Sequence, residues 1–182
     1  MIEHASQTMK RAWLDELASI KSRCDQAAAQ LSDAQLMSEA IPGANSVAVI
    51  MRHLAGSFRS RFTDFLTTDG EKPDRKRDGE FSDPLPTRAR LLEAWNASFA
   101  LVASTIESIT EDDFDLSVTI RGETHTVPRA IERAINHASY HSGQILLLAR
   151  LAAGGDASWK WITVAPNASA QFNESMRSKH ER

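Results

Sequence analysis

The sequence predicts an all-α protein: a four-helix bundle with a long crossover loop and a small β-hairpin before the last helix. Four long segments repeat apolar residues every three or four positions, which is the pattern of amphipathic helices. A polar segment with several prolines and glycines separates the second segment from the third, and a short apolar–polar alternation precedes the fourth. Because each amphipathic helix buries its apolar side against a partner, the four helices should pack as one bundle. The 182 residues suit a single domain, which we expect to span residues 1–182.

The first two predicted helices lie on either side of a break. The first covers about residues 5–31, and the break is Ile-Pro-Gly at residues 41–43. The apolar residues of the first helix step by threes and fours: Met9, Trp13, Leu17, Ile20, Cys24, Ala27 and Leu31. The second covers about residues 45–66 and begins with Asn-Ser, either of which is a good N-cap. Residues 67–86 then form the crossover, and long ordered connections of this kind are often functional.

The second half of the chain predicts two further helices and the hairpin. The third helix covers about residues 87–109, with an apolar side made of Leu92, Trp95, Phe99, Val102, Ile106 and Ile109. Residues 116–120 alternate between apolar and polar, and residues 124–127 can return as a second strand after an Arg-Gly-Glu turn. Pro128 suits the first turn of the fourth helix, which ends at Gly154-Gly155. The apolar tail around Trp159 and Trp161 should pack back on the bundle.

Composition excludes several classes of partner. A net charge of −3 and a pI of about 6.1 do not suit a nucleic-acid-binding protein, which needs a basic surface. The sequence has no run of about 18 apolar residues, so we expect no membrane span. The single cysteine, Cys24, and an N-terminus without the pattern of a secretory signal lead us to expect a cytoplasmic protein. The basic run at residues 75–77 is surrounded by acidic residues, and we interpret it as a solvated loop with internal ion pairs.

Three histidines form a candidate metal site. His137 and His141 are four residues apart on the fourth helix, so they lie on the same face, at the edge of its apolar stripe. The same spacing occurs in helical zinc sites. His53 lies at the edge of the apolar side of the second helix and can supply a third ligand. Three neutral nitrogens would leave positions for water or substrate, which is typical of a catalytic site.

These histidines and the residues near them also have simpler interpretations, without a role in metal binding. Buried histidines often only form hydrogen bonds, and no glutamate follows His137, so the helix-borne base of a zinc protease is missing. Gln144 could orient a ligand, but we favour an interhelical hydrogen bond. His125 on the hairpin is expected at the surface, and Cys24 is expected to be a buried structural residue.

Two motifs resemble those of the DinB/YfiT-like superfamily. Residues 45–56, Asn-Ser-Val-Ala-Val-Ile-Met-Arg-His-Leu-Ala-Gly, resemble its second-helix motif. Residues 136–145, Asn-His-Ala-Ser-Tyr-His-Ser-Gly-Gln-Ile, resemble its last-helix motif, where a histidine is followed by x-Gly-Gln-Ile. Residues 67–81 look like the corresponding segment of one subfamily of unknown function, and the resemblance extends over about residues 5–175.

The resemblance implies a four-helix bundle, often a homodimer, that holds one divalent metal ion on three histidines. The family's ligand positions fall here on His53, His137 and His141. Some relatives use low-molecular-weight thiols in transfer or isomerisation reactions, and others are described as metal-dependent hydrolases without a known substrate. We therefore expect a hydrolase or a thiol-dependent transferase acting on an unknown small molecule, with zinc, nickel or iron as the metal. The alternative is a non-catalytic metal-binding or stress-related interaction bundle.

Overall fold

Four long helices and one hairpin make up most of the computed structural model, which describes residues 2–155 and 159–180. The predicted fold class is therefore confirmed. In chain order the elements are α1 (Ile2–Ala29), α2 (Asp33–Met37), α3 (Val47–Phe62), α4 (Gly79–Ser82), α5 (Arg88–Ser108), a 3-10 turn (Asp112–Asp115), β1 (Ser117–Ile120), β2 (Glu123–Thr126), α6 (Val127–Ala152) and α7 (Ser169–His180).

Side-chain caps set where three of the long helices begin. Ser46 accepts a hydrogen bond from the backbone N–H of Val49 at 3.2 Å, and Thr87 and Thr126 cap α5 and α6 in the same way. Such caps satisfy a backbone N–H that has no partner within the helix. Pro128 lies in the first turn of α6, where its missing N–H is not needed.

The apolar sides of α1, α3, α5 and α6 meet in one core. The largest completely buried side chains come from all four helices and include Ile20, Phe58, Phe62, Trp95, Ile131 and Ile145. The Trp95 indole N–H donates to Asp25 Oδ1 at 2.7 Å, so its polar atom is also satisfied. α3 packs against both α5 and α6, while α1 packs against α6 and α5. This arrangement places α3 beside α6. The predicted histidine site draws on these two helices, so it requires them to be neighbours.

Four short elements were not predicted: α2, α4, the 3-10 turn and α7. Each is too short or too polar to give a clear apolar period. α2 begins with a capping box in which Ser32 and Gln35 bond each other's backbone N–H, and it buries Leu36. The expected packing of the tail is confirmed for Trp159, which is buried, while the Trp161 ring lies 4.5 Å from the Arg150 guanidinium.

The crossover between α3 and α5 is attached to the hairpin. Asp69 accepts hydrogen bonds from the backbone N–H groups of Glu71, Arg121 and Gly122 at 2.7 to 2.8 Å. Arg121 and Gly122 both have positive φ angles, as the tight turn between β1 and β2 requires. The crossover and the hairpin turn therefore lie at the same end of the bundle. No helix within residues 2–155 and 159–180 is long and apolar enough to cross a bilayer.

Candidate metal centre

The three predicted histidines come together between α3 and α6. His53 comes from the middle of α3, and His137 and His141 come from adjacent turns of α6. The Nε2 atoms of His53 and His137 are 3.3 Å apart, and those of His137 and His141 are 3.1 Å apart. One ring nitrogen from each of the three lies within 4.8 Å of the other two. The sequence-predicted ligand set is thus one cluster in the structure.

The hydrogen bonds behind the rings assign their tautomers. His53 Nδ1 is 2.7 Å from Glu80 Oε2, and His141 Nδ1 is 2.7 Å from Gln144 Oε1. Because carboxylate and amide oxygens only accept, each Nδ1 carries the hydrogen and each Nε2 has a free lone pair. His53 and His141 therefore point acceptor atoms at the centre of the cluster, beside His137 Nε2. Lone pairs this close repel each other unless a cation or a proton lies between them.

The spacing of the donors fits a bound metal ion. With metal–nitrogen distances of about 2.0–2.1 Å, tetrahedral geometry places two histidine nitrogens about 3.4 Å apart, and right-angle geometry places them about 2.9 Å apart. The observed separations of 3.3 and 3.1 Å lie between these values. Imidazole ligands suit zinc, nickel and iron, so the donor set agrees with the expected metals.

The electrostatics of His137 and His141 favour their neutral forms, as metal binding requires. Burial lowers the pKa of His137 to about 3, with further lowering from the neighbouring histidines and from Arg61 and Arg75. Burial also lowers the pKa of His141, although its hydrogen bond with Gln144 opposes this effect. His137 Nδ1 is buried and has no hydrogen-bond partner among the described residues.

Glu80, in the short helix α4 of the crossover, supports the site from behind His53. Its two oxygens accept from Arg75 Nε and Nη2, each at 2.9 Å, in addition to the bond from His53. Burial raises the pKa of Glu80, but the hydrogen bonds from His53 and Arg75 outweigh this and lower it overall. Gly56 makes room for this carboxylate, because a Cβ on Gly56 would lie only 2.8 Å from Glu80 Cδ.

The interpretation of residues 75–77 as a solvated loop is wrong for Arg75. Its side chain is only 3% exposed, because Glu80 draws it inward against the bundle. The expected internal ion pairs are present, to Glu80 and to Glu71 at 3.3 Å. Lys76 and Arg77 are exposed, as expected.

The histidine cluster adjoins a pocket of about 230 Å³. His53 and His137 form part of its wall, and His141 is outside it. The rest of the wall consists of five arginines: Arg61, Arg75, Arg77, Arg121 and Arg133. We call this the arginine pocket. The crossover contributes two of these arginines, Arg75 and Arg77, so this connection borders the site.

A larger groove, of about 690 Å³, has Glu80 in its wall and is lined mainly by apolar surface. Its walls come from α3, α5 and the crossover, including Ala55, Leu91 and Leu101. None of the three histidines lines it, so the candidate metal site adjoins the smaller pocket and not this groove.

Two expectations about neighbouring residues are corrected and one is confirmed. Gln144 holds the ring of His141 rather than bonding another helix, because it lies one turn further along the same face of α6. His125 is buried and not at the surface, since it faces α6 and accepts a hydrogen bond from Arg133 at 3.0 Å. Cys24 is a buried structural residue, and burial raises the pKa of its thiol to about 11.

The sequence contained signals for some site residues that we did not identify. Arg61 lies two turns after His53 on α3, and Arg133 lies one turn before His137 on α6. The i, i+4 rule used for the histidines therefore also places these arginines on the side of the helix that bears the site. Gly56, inside a helix where glycine is unfavourable, indicated a close approach by another group, which proved to be Glu80.

Comparisons with known proteins identify the family and the fold. The model of a family described as a protein of unknown function, DUF1572, matches residues 4–168. No curated protein matches the chain. Among solved structures, YfiT from Bacillus subtilis, described as a probable metal-dependent hydrolase with an unusual four-helix bundle topology, is 20% identical with a TM-score of 0.65. The match covers 81% of this chain and 89% of YfiT.

A conserved protein from Enterococcus faecalis is also similar in structure. It is 22% identical, with a TM-score of 0.62, and the match covers 79% of this chain and 96% of that protein. At these identities the two structures establish a shared fold. They confirm the resemblance to the DinB/YfiT-like superfamily at the level of the fold.

Proposed function

The chain belongs to the DUF1572 family, whose function is unknown, and we propose that it is a metal-dependent enzyme that hydrolyses a small molecule. The metal ion, zinc, nickel or iron, would be held by the Nε2 atoms of His53, His137 and His141. The convergence of these three nitrogens beside a pocket is the observation that carries the proposal. The description of YfiT as a probable metal-dependent hydrolase supports it.

Each site residue has a distinct part in this proposal. A divalent metal on three histidines supplies Lewis-acid chemistry, polarising a substrate oxygen and favouring deprotonation of water. The three histidines hold the ion, and the arginine pocket on the side of His53 and His137 gives substrate a route to it. Glu80 and Gln144 are positioning residues, because each fixes the orientation and tautomer of one ligand ring.

Glu80 is a poor candidate for a general base. Both its oxygens are engaged, by Arg75 and by His53, and these hydrogen bonds keep its pKa low. A carboxylate held in this way has little tendency to take a proton at neutral pH. Its effect on the reaction would therefore act through His53.

Cobalt substitution tests the proposed reaction. The cobalt-loaded protein should show a pH-dependent visible spectrum with a transition near neutrality, and slow turnover of activated esters or amides. The His141→Ala variant should show neither. Intense new charge-transfer bands on adding a low-molecular-weight thiol would favour thiol transfer instead. A spectrum unaffected by pH, thiols and small anions would favour the non-catalytic bundle.

We also propose that the protein is a cytoplasmic homodimer. Tyr140, Leu147 and Leu151 are exposed on one side of α6, at the seven- and four-residue spacing of a helix–helix contact. A second copy of the chain could cover these side chains. Cell fractionation would test the location.

A further inference from the structure

The arginine pocket concentrates positive charge beside the metal ligands. Its five arginines come from four separate parts of the fold: α3, the crossover, the β1–β2 turn and α6. No acidic side chain is among the described residues that line it. The carboxylates that pair with these arginines, such as Glu71, Glu80 and Glu123, lie behind them. The surface facing the pocket is therefore cationic, although the whole chain has a net charge of −3.

Among the described residues, no ion pair with a carboxylate explains the position of Arg61. Within the described parts of the chain, no carboxylate lies within ion-pair distance of it, and its guanidinium donates to the Ser57 hydroxyl. Its Nε is buried and has no hydrogen-bond partner among the described residues. Burial, together with the charges of Arg75 and Arg133, lowers the pKa of Arg61 to about 10. Holding a cation in this place is unfavourable for the folded protein by itself.

The size of the pocket limits what can enter it. Complete small-molecule ligands occupy pockets of about 300–1,000 Å³. A volume of about 230 Å³ suits one charged end of a ligand, with the remainder outside. Arginine is the side chain best suited to a planar or tetrahedral oxyanion, because its fork of N–H groups can bond two oxygens at once.

We propose that the arginine pocket binds an anionic group of the substrate, a carboxylate or a phosphate, with Arg61 as its central ligand. The proposal rests on the proposed function, because it adds the substrate class to that site. Arg75 and Arg133 complete the binding surface, and their own carboxylates hold them in place. Since His53 and His137 share the pocket wall, the bound group would lie directly beside the metal.

Calorimetric titration with inorganic phosphate, and separately with acetate, tests this subsite. Sodium chloride at the same ionic strength is the reference. All titrations use the His141→Ala background, which removes a metal ligand without altering the pocket wall, so the anion cannot bind through the metal. The key comparison adds Arg61→Met to this background. The matched control adds Arg11→Met, which removes an exposed arginine of α1 outside the pocket.

The His141→Ala protein should bind phosphate or acetate, and the stronger of the two identifies the substrate's anionic group. Arg61→Met should weaken binding about tenfold or more, while Arg11→Met changes it less than about twofold. If Arg61→Met does not fold, Arg133→Met at the pocket rim should give the same direction of change. No binding by His141→Ala, or equal binding with and without Arg61, would overturn the proposal. If the wild-type protein binds phosphate but no metal, the proposed metal-dependent function is wrong, whereas the proposed anion-binding subsite is supported.

Discussion

The substitution Glu80→Gln should weaken metal binding without removing a metal ligand. The side chain of Glu80 is 10% exposed and that of Arg75 is 3% exposed, so the pair is shielded from water. Glutamine keeps the shape but loses the charge, and its NH₂ group cannot accept from His53 or Arg75. At least one of the three hydrogen bonds to Glu80 is then lost, and the bonds from His53 and from Arg75 Nη2 are lost together when the NH₂ group takes the place of Oε2. The only ion pair that Arg75 keeps is the one with Glu71, at 3.3 Å.

The magnitudes follow from these contacts. Breaking a buried ion pair costs about 3–5 kcal/mol. Because Arg75 keeps its contact with Glu71, we expect the free energy of unfolding to fall by about 3 kcal/mol, at the lower end of this range. For a chain of this size, that loss lowers the Tm by about 6–12 °C. Because the acceptor that fixes the His53 tautomer and ring orientation loses its charge, and is absent when the NH₂ group faces His53, the metal Kd should rise about 10–100-fold.

Two assays measure the two effects. Urea unfolding of the metal-free protein gives the stability, and competition with a chromophoric chelator gives the metal Kd. The control is Glu71→Gln, which weakens ion pairs to Arg75 and Arg121 in the same loop but does not touch a histidine. Glu71→Gln should leave the metal Kd within about twofold of wild type. Equal metal affinities in Glu80→Gln and wild type would refute the role assigned to Glu80.

Three further predictions concern the loop, the pH dependence and the assembly. Asp69→Ala removes three hydrogen bonds that attach the crossover to the hairpin, and should cost about 1–3 kcal/mol in urea unfolding; an unchanged midpoint would contradict this. The pKa of His137 is lowered to about 3, so the unfolded chain takes up a proton that the folded, metal-free protein does not. The free energy of unfolding of the metal-free protein should therefore fall as the pH drops from about 6.5 towards 3, and it should fall less in His137→Asn. Urea unfolding at several pH values measures this, and the same dependence on pH in wild type and His137→Asn would refute it. Light scattering with size exclusion should give a dimer at micromolar concentration, and a mass near 20.1 kDa would reject the homodimer.

The sequence was sufficient for the bundle and for the clustering of the three histidines, because both depend on helical periodicity. The spacing of His137 and His141, and the position of His53 at the edge of an apolar stripe, are local properties of two helices. Packing α3 against α6 then brings the three rings together. The same reasoning extended to Arg61 and Arg133 would have placed two of the arginines at the site.

Glu80 and Arg75 could not be identified in this way. They belong to a connection without a repeating pattern. The position of Glu80 depends on its contact with His53, far away in the sequence, and that of Arg75 depends on Glu80. A basic run among acidic residues is usually solvated, which is why Arg75 was assigned to the surface. What distinguishes it is the pairing with Glu80 behind His53, and this pairing exists only once the loop has folded over Gly56.

An anomalous-scattering map of crystals grown from protein purified without a histidine tag tests the metal site directly. We predict one peak per chain, about 2.0–2.2 Å from the Nε2 atoms of His53, His137 and His141. Nδ1 of His53 should still donate to Glu80, and Nδ1 of His141 to Gln144. A map without a peak between these rings, after the protein has been grown and purified in the presence of zinc, nickel and iron, would contradict this prediction.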